Sequence, residues 1–170
     1  MAQRVEKFDV GTLRLASGEA RALEFEVPVA ELSFGGQTYG AGGYTDALLD
    51  VSRTTTGHAL RLRFGVELHG PCTRCLEDAG AQVDVDAREI DQPGGDEELH
   101  SPYVGEHVLD LSGWARDALA LALPTQILCS EECRGLCVDC GTNLNEDPDH
   151  GHEAEPDPRW SKLSELKLDG

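Results

Sequence analysis

The cysteine residues of this 170-residue chain are the side chains whose spacing points most directly to chemistry. Cys72 and Cys75 form one C-x2-C pair, and Cys137 and Cys140 form a second pair that is followed by Gly141. Two intervening residues let both sulfurs approach one ion, and a following glycine permits the tight turn that aims backbone N–H groups at the thiolates. Each pair therefore predicts half of a tetrahedral zinc site.

Four further soft ligands lie close to the second pair. Cys129 and Cys133 are four residues apart, and the acidic segment after residue 140 contains His150 and His152. Six thiolates and two imidazoles are the number that two four-coordinate zinc ions need, so we expect one or two structural ions. The sequence leaves the pairing open, because the four cysteines between residues 129 and 140 also suffice for a local site. That arrangement would leave the first C-x2-C pair to find other partners.

The same cysteines have an alternative use as a thiol-disulfide redox pair. A redox role for Cys72 and Cys75 requires a C-x-x-C motif that opens a helix after a strand, where the helix dipole lowers the thiol pKa. The pair instead falls between two predicted strands, which favours metal. The sequence also contains no nucleophile elbow and no H-E-x-x-H motif. A zinc ion bound by four protein ligands has no position for water, so we expect no enzymatic activity.

Period-two alternation in the first half of the chain predicts the strands that must position these ligands. In residues 58–70, every second residue from Leu60 to Leu68 is apolar, which is typical of a half-buried antiparallel strand. Shorter alternating segments occur at residues 23–29, 48–53 and 81–87. The first cysteine pair then lies at a hairpin tip between two of these strands.

One helix is predicted after the strands. The segment LDLSGWARDALALALP favours a helix from about Leu111 to Leu123, with Asp110 or Ser112 as its cap and Pro124 as its end. Apolar residues cover most of the circumference of this helix, so we expect it to be buried against the sheet.

The predicted fold class is therefore α+β. We expect an antiparallel β-sheet or partly closed β-barrel from about residue 4 to residue 90, one packed helix and a zinc-stapled C-terminal tail. Residues 1–124 would form the sheet-rich body, and residues 125–170 would form a Cys/His-rich metal-binding tail. The tail is predicted to end in a short helix near Trp160 to Lys167, with Trp160 and Leu163 docking it on the body.

The charge of the chain is concentrated in its second part. The formal net charge is −18; residues 1–75 carry 8 basic and 9 acidic groups, whereas residues 76–170 carry 6 basic and 23 acidic groups. Such a surface repels phosphate backbones and favours a basic protein partner. The alternative is RNA binding through a basic stripe on the outward face of the sheet, formed by Arg53, Arg61, Arg63 and Arg74.

The N-terminal residues and the hydropathy of the chain bear on its compartment. The N-terminal residues lack the apolar core of a signal peptide, and the longest hydrophobic run is too short to cross a bilayer. We therefore expect a cytoplasmic protein without membrane contact, whose clustered thiols stay reduced and available to a metal.

Three motifs together resemble the YceD family, which is associated with accumulation of large-subunit ribosomal RNA. They are PCTRCLE (71–77), LALPTQILCSEECRGLCVDCGTNL (121–144) and DPRWSKLSEL (157–166), in the order and spacing of the family. Actinobacterial members look most similar, because they share a stretch like DPDHGHE and the tryptophan at position 160. Many relatives carry Cys-x-Cys where this chain has His150 and His152, and imidazole can replace thiolate on zinc.

The resemblance implies a non-enzymatic factor in ribosome assembly or ribosomal RNA maintenance, and it supplies no catalytic residues. Combined with the charge distribution, it suggests an acidic surface that zinc holds in shape. Our hypothesis is that this surface binds a basic ribosomal protein or a large-subunit assembly intermediate, so that large-subunit ribosomal RNA accumulates. RNA binding by the four arginines and redox chemistry at Cys72 and Cys75 are the competing hypotheses.

Overall fold

The computed structural model describes residues 3–96 and 99–152. The strands of this part of the chain are β1 (Gln3–Arg4), β2 (Lys7–Asp9), β3 (Ala20–Val29), β4 (Leu32–Phe34), β5 (Gln37–Tyr39), β6 (Gly43–Arg53), β7 (His58–Pro71), β8 (Asp78–Asp91), β9 (Val104–Gly105) and β10 (Val108–Asp110). A 3-10 helix covers Val10–Leu13, and the α-helix α1 covers Leu111–Ala122.

The largest sheet has the strand order β1-β3-β6-β7-β8. The pairing of β1 with β3 is parallel, and the pairings among β3, β6, β7 and β8 are antiparallel. Strands β2, β10 and β9 form a second sheet, and β4 pairs with β5. The predicted α+β fold with an antiparallel sheet is confirmed. Because β1 and β8 are the two edges of the main sheet, the described strands form an open sheet rather than a closed barrel.

The β7–β8 hairpin is the element that carries the first cysteine pair. Each strand has 14 residues, and they pair along their whole length from His58↔Asp91 to Pro71↔Asp78. The alternating apolar residues of β7 are buried, as the sequence predicts, while the residues between them face outward. The six residues 72–77 therefore form the tip of a long, rigid hairpin.

Helix α1 packs against one face of the main sheet. The carboxylate of Asp110 accepts a hydrogen bond from Gly113 N (3.0 Å) and caps the helix, which ends just before Leu123 and Pro124. The buried face of α1 includes Trp114 and Leu119. Helix α1 contacts both β3 and β8, which are separated in the sheet by β6 and β7.

Residues 123–152 follow α1 as turns and loops in the described part of the chain. Ile127 and Cys133 from this segment are buried in the same core as the sheet and the helix. The division of the chain at residue 124 stays a prediction. The predicted terminal helix near Trp160 to Lys167 and the docking of Trp160 and Leu163 lie outside the described residues.

In the two described ranges, we find no helix with the length and hydrophobicity that a bilayer crossing requires.

Candidate metal centres

The eight predicted ligands form two groups of four in the structure. The first centre consists of Cys72, Cys75, Cys129 and Cys133, and the second centre consists of Cys137, Cys140, His150 and His152. Within each group the ligand atoms all lie within 4.8 Å of one another. Around one tetrahedral zinc ion the sulfurs are separated by ~3.8 Å, since each Zn–S bond is about 2.3 Å long. Both groups therefore have the donor set and the spacing of a four-coordinate metal site.

The first centre joins the hairpin tip to the segment that follows α1. The Sγ atoms of Cys72 and Cys133 are 3.7 Å apart, and those of Cys75 and Cys129 are 3.5 Å apart. Cys72, Cys75 and Cys133 are buried, and Cys129 is exposed at the edge of the group. The pairing that the sequence left open thus places Cys129 and Cys133 with the first C-x2-C pair.

Backbone hydrogen bonds dock the hairpin tip on the later segment. Thr73 donates both its backbone N–H (2.8 Å) and its hydroxyl (3.2 Å) to Ile127 O. Leu136 N donates to Arg74 O at 3.2 Å, and the Arg74 guanidinium donates to Cys133 O at 2.9 Å. These bonds fix the relative positions of the two cysteine pairs through the protein backbone itself.

The tip is folded as a tight turn around its own cysteines. Cys72 N donates to Glu77 O at 2.7 Å, and Leu76 N donates to Cys72 O at 3.0 Å. Leu76 adopts a φ of 64°, a left-handed conformation that non-glycine residues seldom take. The turn also brings Arg74 N to 3.4 Å from the Cys72 sulfur, so backbone donors point toward the thiolate.

The second C-x2-C pair has the same turn. Cys137 N donates to Thr142 O at 2.8 Å, and Gly141 N donates to Cys137 O at 2.8 Å. Gly141 has a φ of 76°, as we expect for the glycine that follows the second cysteine. The two centres are therefore built on one local design, with a leucine in the glycine position at the first centre.

The buried thiols of the first centre have opposite pKa shifts. Burial opposes ionisation of Cys72, but hydrogen bonds from the N–H groups of Cys75 and Arg74 outweigh burial and lower the pKa of Cys72 to about 6. Burial raises the pKa of Cys75 to about 12. A thiolate at one cysteine disfavours ionisation of the neighbouring thiols, and a bound cation would offset this repulsion.

The second centre is more open to solvent. The Cys140 sulfur lies 3.1 Å from His150 Nε2 and 3.2 Å from His152 Nε2, and the two Nε2 atoms are 3.0 Å apart. Cys140 and His152 are exposed, and the other two ligands are half-buried. Hydrogen bonds from the hydroxyl and the backbone N–H of Thr142, followed by His152, lower the pKa of Cys140 to about 6. Its thiolate is thus available to a metal near neutral pH.

Asn145 supports the first centre, and the sequence analysis did not identify it. Its Nδ2 donates to the Cys133 sulfur of the first centre at 3.5 Å, which lowers the pKa of Cys133. Its Oδ1 accepts from Arg134 N at 2.8 Å, so the side chain is held in place. A single asparagine in a polar segment has no spacing pattern that would have marked it.

Tyr39 supports the hairpin tip from the core and was also missed. Its hydroxyl donates to Pro71 O at 2.9 Å, immediately before Cys72, and its side chain is fully buried. A Cβ atom on Gly70 would lie 2.5 Å from the Tyr39 ring, so only glycine fits beneath it. The signal that could have found this contact is Gly70 itself, a glycine that interrupts a strand.

Two of the predicted RNA-binding arginines lie on the outward face of the sheet, where each has an acidic partner. Arg61 makes two hydrogen bonds with the Asp86 carboxylate, at 2.7 and 2.6 Å. Arg63 donates to Asp50 at 2.7 Å. Their positive charges are therefore largely balanced by carboxylates on the neighbouring strands.

The other two arginines lie elsewhere. Arg53 is at the end of β6, on the same face as the buried residues of that strand. Its Nη1 lies 3.3 Å from Nε2 of the buried His58. Arg74 belongs to the first centre, where it bonds to Cys133 O. The four side chains are thus distributed over three places on the molecule.

Comparison with known proteins identifies the relatives of this chain. The family model described as "Large ribosomal RNA subunit accumulation protein YceD" matches residues 60–167, a range that contains all eight candidate ligands. An uncharacterized protein of Mycobacterium tuberculosis is 33% identical over 131 residues, which cover 74% of this chain and 63% of the relative. One from Mycobacterium leprae is 32% identical over 101 residues, which cover 56% of this chain and 46% of the relative.

A more distant relative comes from a plant. The Zea mays protein named "Large ribosomal RNA subunit accumulation protein YCED homolog 1, chloroplastic" is 32% identical over 76 residues, which cover 45% of this chain and 22% of that protein. No solved structure matches the chain. The matched region spans 63% of the length of the Mycobacterium tuberculosis relative, and the description of the family concerns ribosomal RNA accumulation and mentions no enzymatic activity. Because the family model covers well over half of its residues, the chain belongs to the YceD family.

Proposed function

We propose that this chain is a non-enzymatic zinc-binding factor that supports the accumulation of large-subunit ribosomal RNA. In this proposal it binds a basic ribosomal protein, or a large-subunit assembly intermediate, through an acidic surface. The observation that carries the proposal is the coincidence of the family match with two closed groups of four ligands. The site of action would be the cytoplasm, where thiols remain reduced and can bind metal.

The donor atoms favour zinc at both centres. Four sulfurs, or two sulfurs and two imidazole nitrogens, at tetrahedral spacing suit Zn²⁺. With all four positions supplied by the protein, zinc would be structural: it would cross-link chain segments and contribute to folding. Six of the eight ligands come from residues 129–152, so this segment depends most on the metal.

The same segment carries the surface that we propose for the partner. We define the acidic surface as its exposed carboxylates: Glu131, Glu132, Asp139, Glu146, Asp147 and Asp149. Arg134 is its basic residue, and the guanidinium of Arg134 donates to Pro148 O at 3.1 Å. A dense group of negative charges on a metal-held scaffold attracts a basic protein and steers its approach.

A protein partner fits the charges better than direct RNA binding does. Nonspecific affinity for RNA comes mainly from lysine and arginine side chains that displace counterions from phosphates. The outward-facing Arg61 and Arg63 are already paired with carboxylates, so little free positive charge is left on that face.

The metal half of the proposal is tested by zinc content. We expect about two zinc ions per chain when the protein is purified without chelator. Cys75→Ser should remove the ion of the first centre and Cys140→Ser that of the second, each leaving about one ion. A folded protein that contains no zinc would contradict the proposal.

The partner half is tested by binding purified large-subunit ribosomal proteins to the zinc-loaded chain. The variant Glu131→Gln/Glu132→Gln/Asp139→Asn should weaken binding of the basic partner at least tenfold, on the order of 1.4 kcal/mol. A control variant, Glu24→Gln/Glu31→Gln/Asp46→Asn, removes three exposed charges from the N-terminal part and should bind normally. Equal loss in both variants would show that total charge, rather than the acidic surface, governs binding.

The cellular role is tested by the ratio of large-subunit to small-subunit ribosomal RNA in a strain that lacks the gene. We expect the ratio to fall in this strain and to recover with the wild-type chain. The three-charge variant of the acidic surface should fail to restore it, whereas the control variant should succeed. Recovery with both variants would leave the acidic surface without a role in RNA accumulation.

A further inference from the structure

A basic cleft lies at the end of the sheet near the β6–β7 turn. The described residues that line it are Val10, Gly11, Arg14, Leu15, Arg53, His58 and His107, and they enclose about 200 Å³. Two of these seven residues are arginines, two are histidines and none is acidic. The chain as a whole has 32 acidic residues against 14 lysines and arginines, so this local composition is opposite to that of the protein.

The basic side chains come from separate parts of the chain. Arg14 follows the 3-10 helix, Arg53 and His58 face each other across the β6–β7 pair, and His107 lies in the β9–β10 turn. Val10 N donates to His107 O at 2.9 Å and ties two of these parts together. The cleft is therefore a product of the tertiary fold rather than of one basic segment.

The two arginines of the cleft have no carboxylate partner. Within the described residues, neither Arg14 nor Arg53 belongs to an ion pair. Arg53 Nη1 lies 3.3 Å from His58 Nε2; a guanidinium can only donate, so Nε2 accepts and His58 is neutral. His58 is only 7% exposed, and burial, followed by the charge of Arg53, lowers its pKa.

Acidic residues border the cleft, and Glu106 is the neighbour of His107 in the chain. Asp91 lies opposite His58 in the register of β7 and β8, and its carboxylate accepts a hydrogen bond from Ser101 N at 3.4 Å. Asp9 accepts from Gly11 N at 2.9 Å, and Glu19 accepts from Ala16 N at 2.8 Å. The three carboxylates thus bond to backbone N–H groups rather than to the two arginines, and the charge of Asp91 partly offsets the lowering of the His58 pKa.

Left-handed backbone conformations occur at this cleft. Among the described residues, four non-glycine residues have positive φ, and two of them, Arg14 (47°) and His107 (71°), line the cleft. A third, Glu106, precedes His107, and the fourth is Leu76 at the first metal centre. Glu106 and His107 form the two-residue turn between β9 and β10, which requires positive φ, and Arg14 is the left-handed cap of the 3-10 helix.

We propose that this cleft binds a phosphate group carried by a small ligand. The planar guanidinium groups of Arg14 and Arg53 match the geometry of phosphate oxygens, and the imidazole of His107 supplies a further donor. The ligand is inorganic phosphate or the phosphate of a mononucleotide. This inference does not depend on the metal centres or on the partner proposed above.

The test is a titration of the zinc-loaded full chain by calorimetry at constant ionic strength. Inorganic phosphate and adenosine monophosphate are the probes, each used up to about 10 mM. We expect saturable binding of one ligand per chain. The variants Arg14→Gln and Arg53→Gln should each weaken it at least about tenfold.

Matched controls separate this outcome from general charge effects. Arg116→Gln removes one exposed positive charge from α1 and should leave binding unchanged. Zinc content and circular dichroism of each variant show whether the fold is intact. Tighter binding of the nucleotide than of phosphate identifies the nucleotide as the ligand class, and equal binding indicates recognition of phosphate alone; both support the proposal. Absence of saturable binding, or equal weakening in Arg116→Gln, overturns it.

Discussion

Leu76 and Gly141 occupy the same position in the two cysteine turns, and both residues have positive φ, 64° and 76°. Each donates its backbone N–H to the carbonyl of the first cysteine of its pair, at 3.0 Å for Leu76 and 2.8 Å for Gly141. The second turn uses the residue that this conformation favours, whereas the first uses a side chain that it disfavours.

Replacing Leu76 with glycine should therefore stabilise the protein. Release of the left-handed strain outweighs the added freedom of glycine in the unfolded chain, and Leu76 is 54% exposed, so little burial is lost. We expect the free energy of unfolding of the zinc-loaded protein to rise by about 0.5–1 kcal/mol, measured by denaturant titration. Gly141→Leu should have the opposite effect and weaken zinc binding at the second centre. A loss of stability in Leu76→Gly would contradict this account of the turn.

The two centres should release zinc at different rates. Three of the four ligands of the first centre are buried, whereas those of the second are exposed or half-buried, so a chelator reaches the second centre more easily. With a chromophoric chelator in excess, zinc release should show two phases of similar amplitude. The fast phase should be absent in Cys140→Ser and the slow phase absent in Cys75→Ser. A fast phase that survives in Cys140→Ser would reverse the assignment.

Zinc affinity of the first centre should depend on pH in two regimes. Metal binding requires thiolates, and the pKa of Cys72 in the metal-free protein is about 6, whereas burial raises that of Cys75 to about 12. Between about pH 6 and about pH 12, zinc binding displaces the proton of Cys75 but not that of Cys72, so the affinity rises with pH. Below about pH 6 Cys72 is protonated as well, and affinity falls more steeply.

The same shift has a consequence for the metal-free fold. Because the folded pKa of Cys72 is lowered from 9.0, its thiolate contributes stability above the unfolded value, and this contribution is lost as pH falls through about 6.

The pH dependence of zinc affinity is measured by competition titrations on Cys137→Ser/Cys140→Ser, which retains only the first centre. A slope that does not change near pH 6 would argue against a lowered pKa at Cys72.

Loss of the Tyr39 hydroxyl should destabilise the hairpin tip. In Tyr39→Phe the carbonyl of Pro71 loses its donor while the ring still fills the core, so we expect a loss of about 1 kcal/mol in unfolding free energy. Zinc content should stay the same, because all eight ligands remain. Tyr44→Phe is the control, since Tyr44 is 42% exposed. Similar stability of the two variants would mean that the hydrogen bond adds little.

Local sequence pattern was sufficient for the long strands of the main sheet and for the half-sites. The alternation from Leu60 to Leu68 predicted the buried face of β7, and the caps and Pro124 predicted α1 to within one residue of its end. The C-x2-C spacing and Gly141 predicted the turn that the structure shows. Each of these signals acts over a few residues, which is the range in which spacing and backbone preference dominate.

The assignment of ligands to centres could not be predicted in this way. Cys129 lies only eight residues from Cys137 but 54 from Cys75, and its sulfur nonetheless lies with that of Cys75. The decision depends on bonds such as Thr73 N to Ile127 O, which form only when the hairpin tip reaches the segment after α1. The basic cleft was missed for the same reason, because Arg14, Arg53 and His107 share no motif and meet only in the folded chain.

The first centre also determines the order in which the chain can complete its fold during synthesis. Its ligands are separated by 54 residues between Cys75 and Cys129, and that interval contains β8 and α1. At about 5–20 residues per second, a ribosome needs about 3–11 s to synthesise this interval. Cys72 and Cys75 therefore have no partner thiols until that time has passed. A metal ion at this centre would restrict the unfolded chain much as a disulfide would, by about 4 kcal/mol in chain-entropy terms, and a chelator would reverse this restriction. With zinc bound as proposed, the chain would carry a reversible cross-link that forms only after its helix has been made.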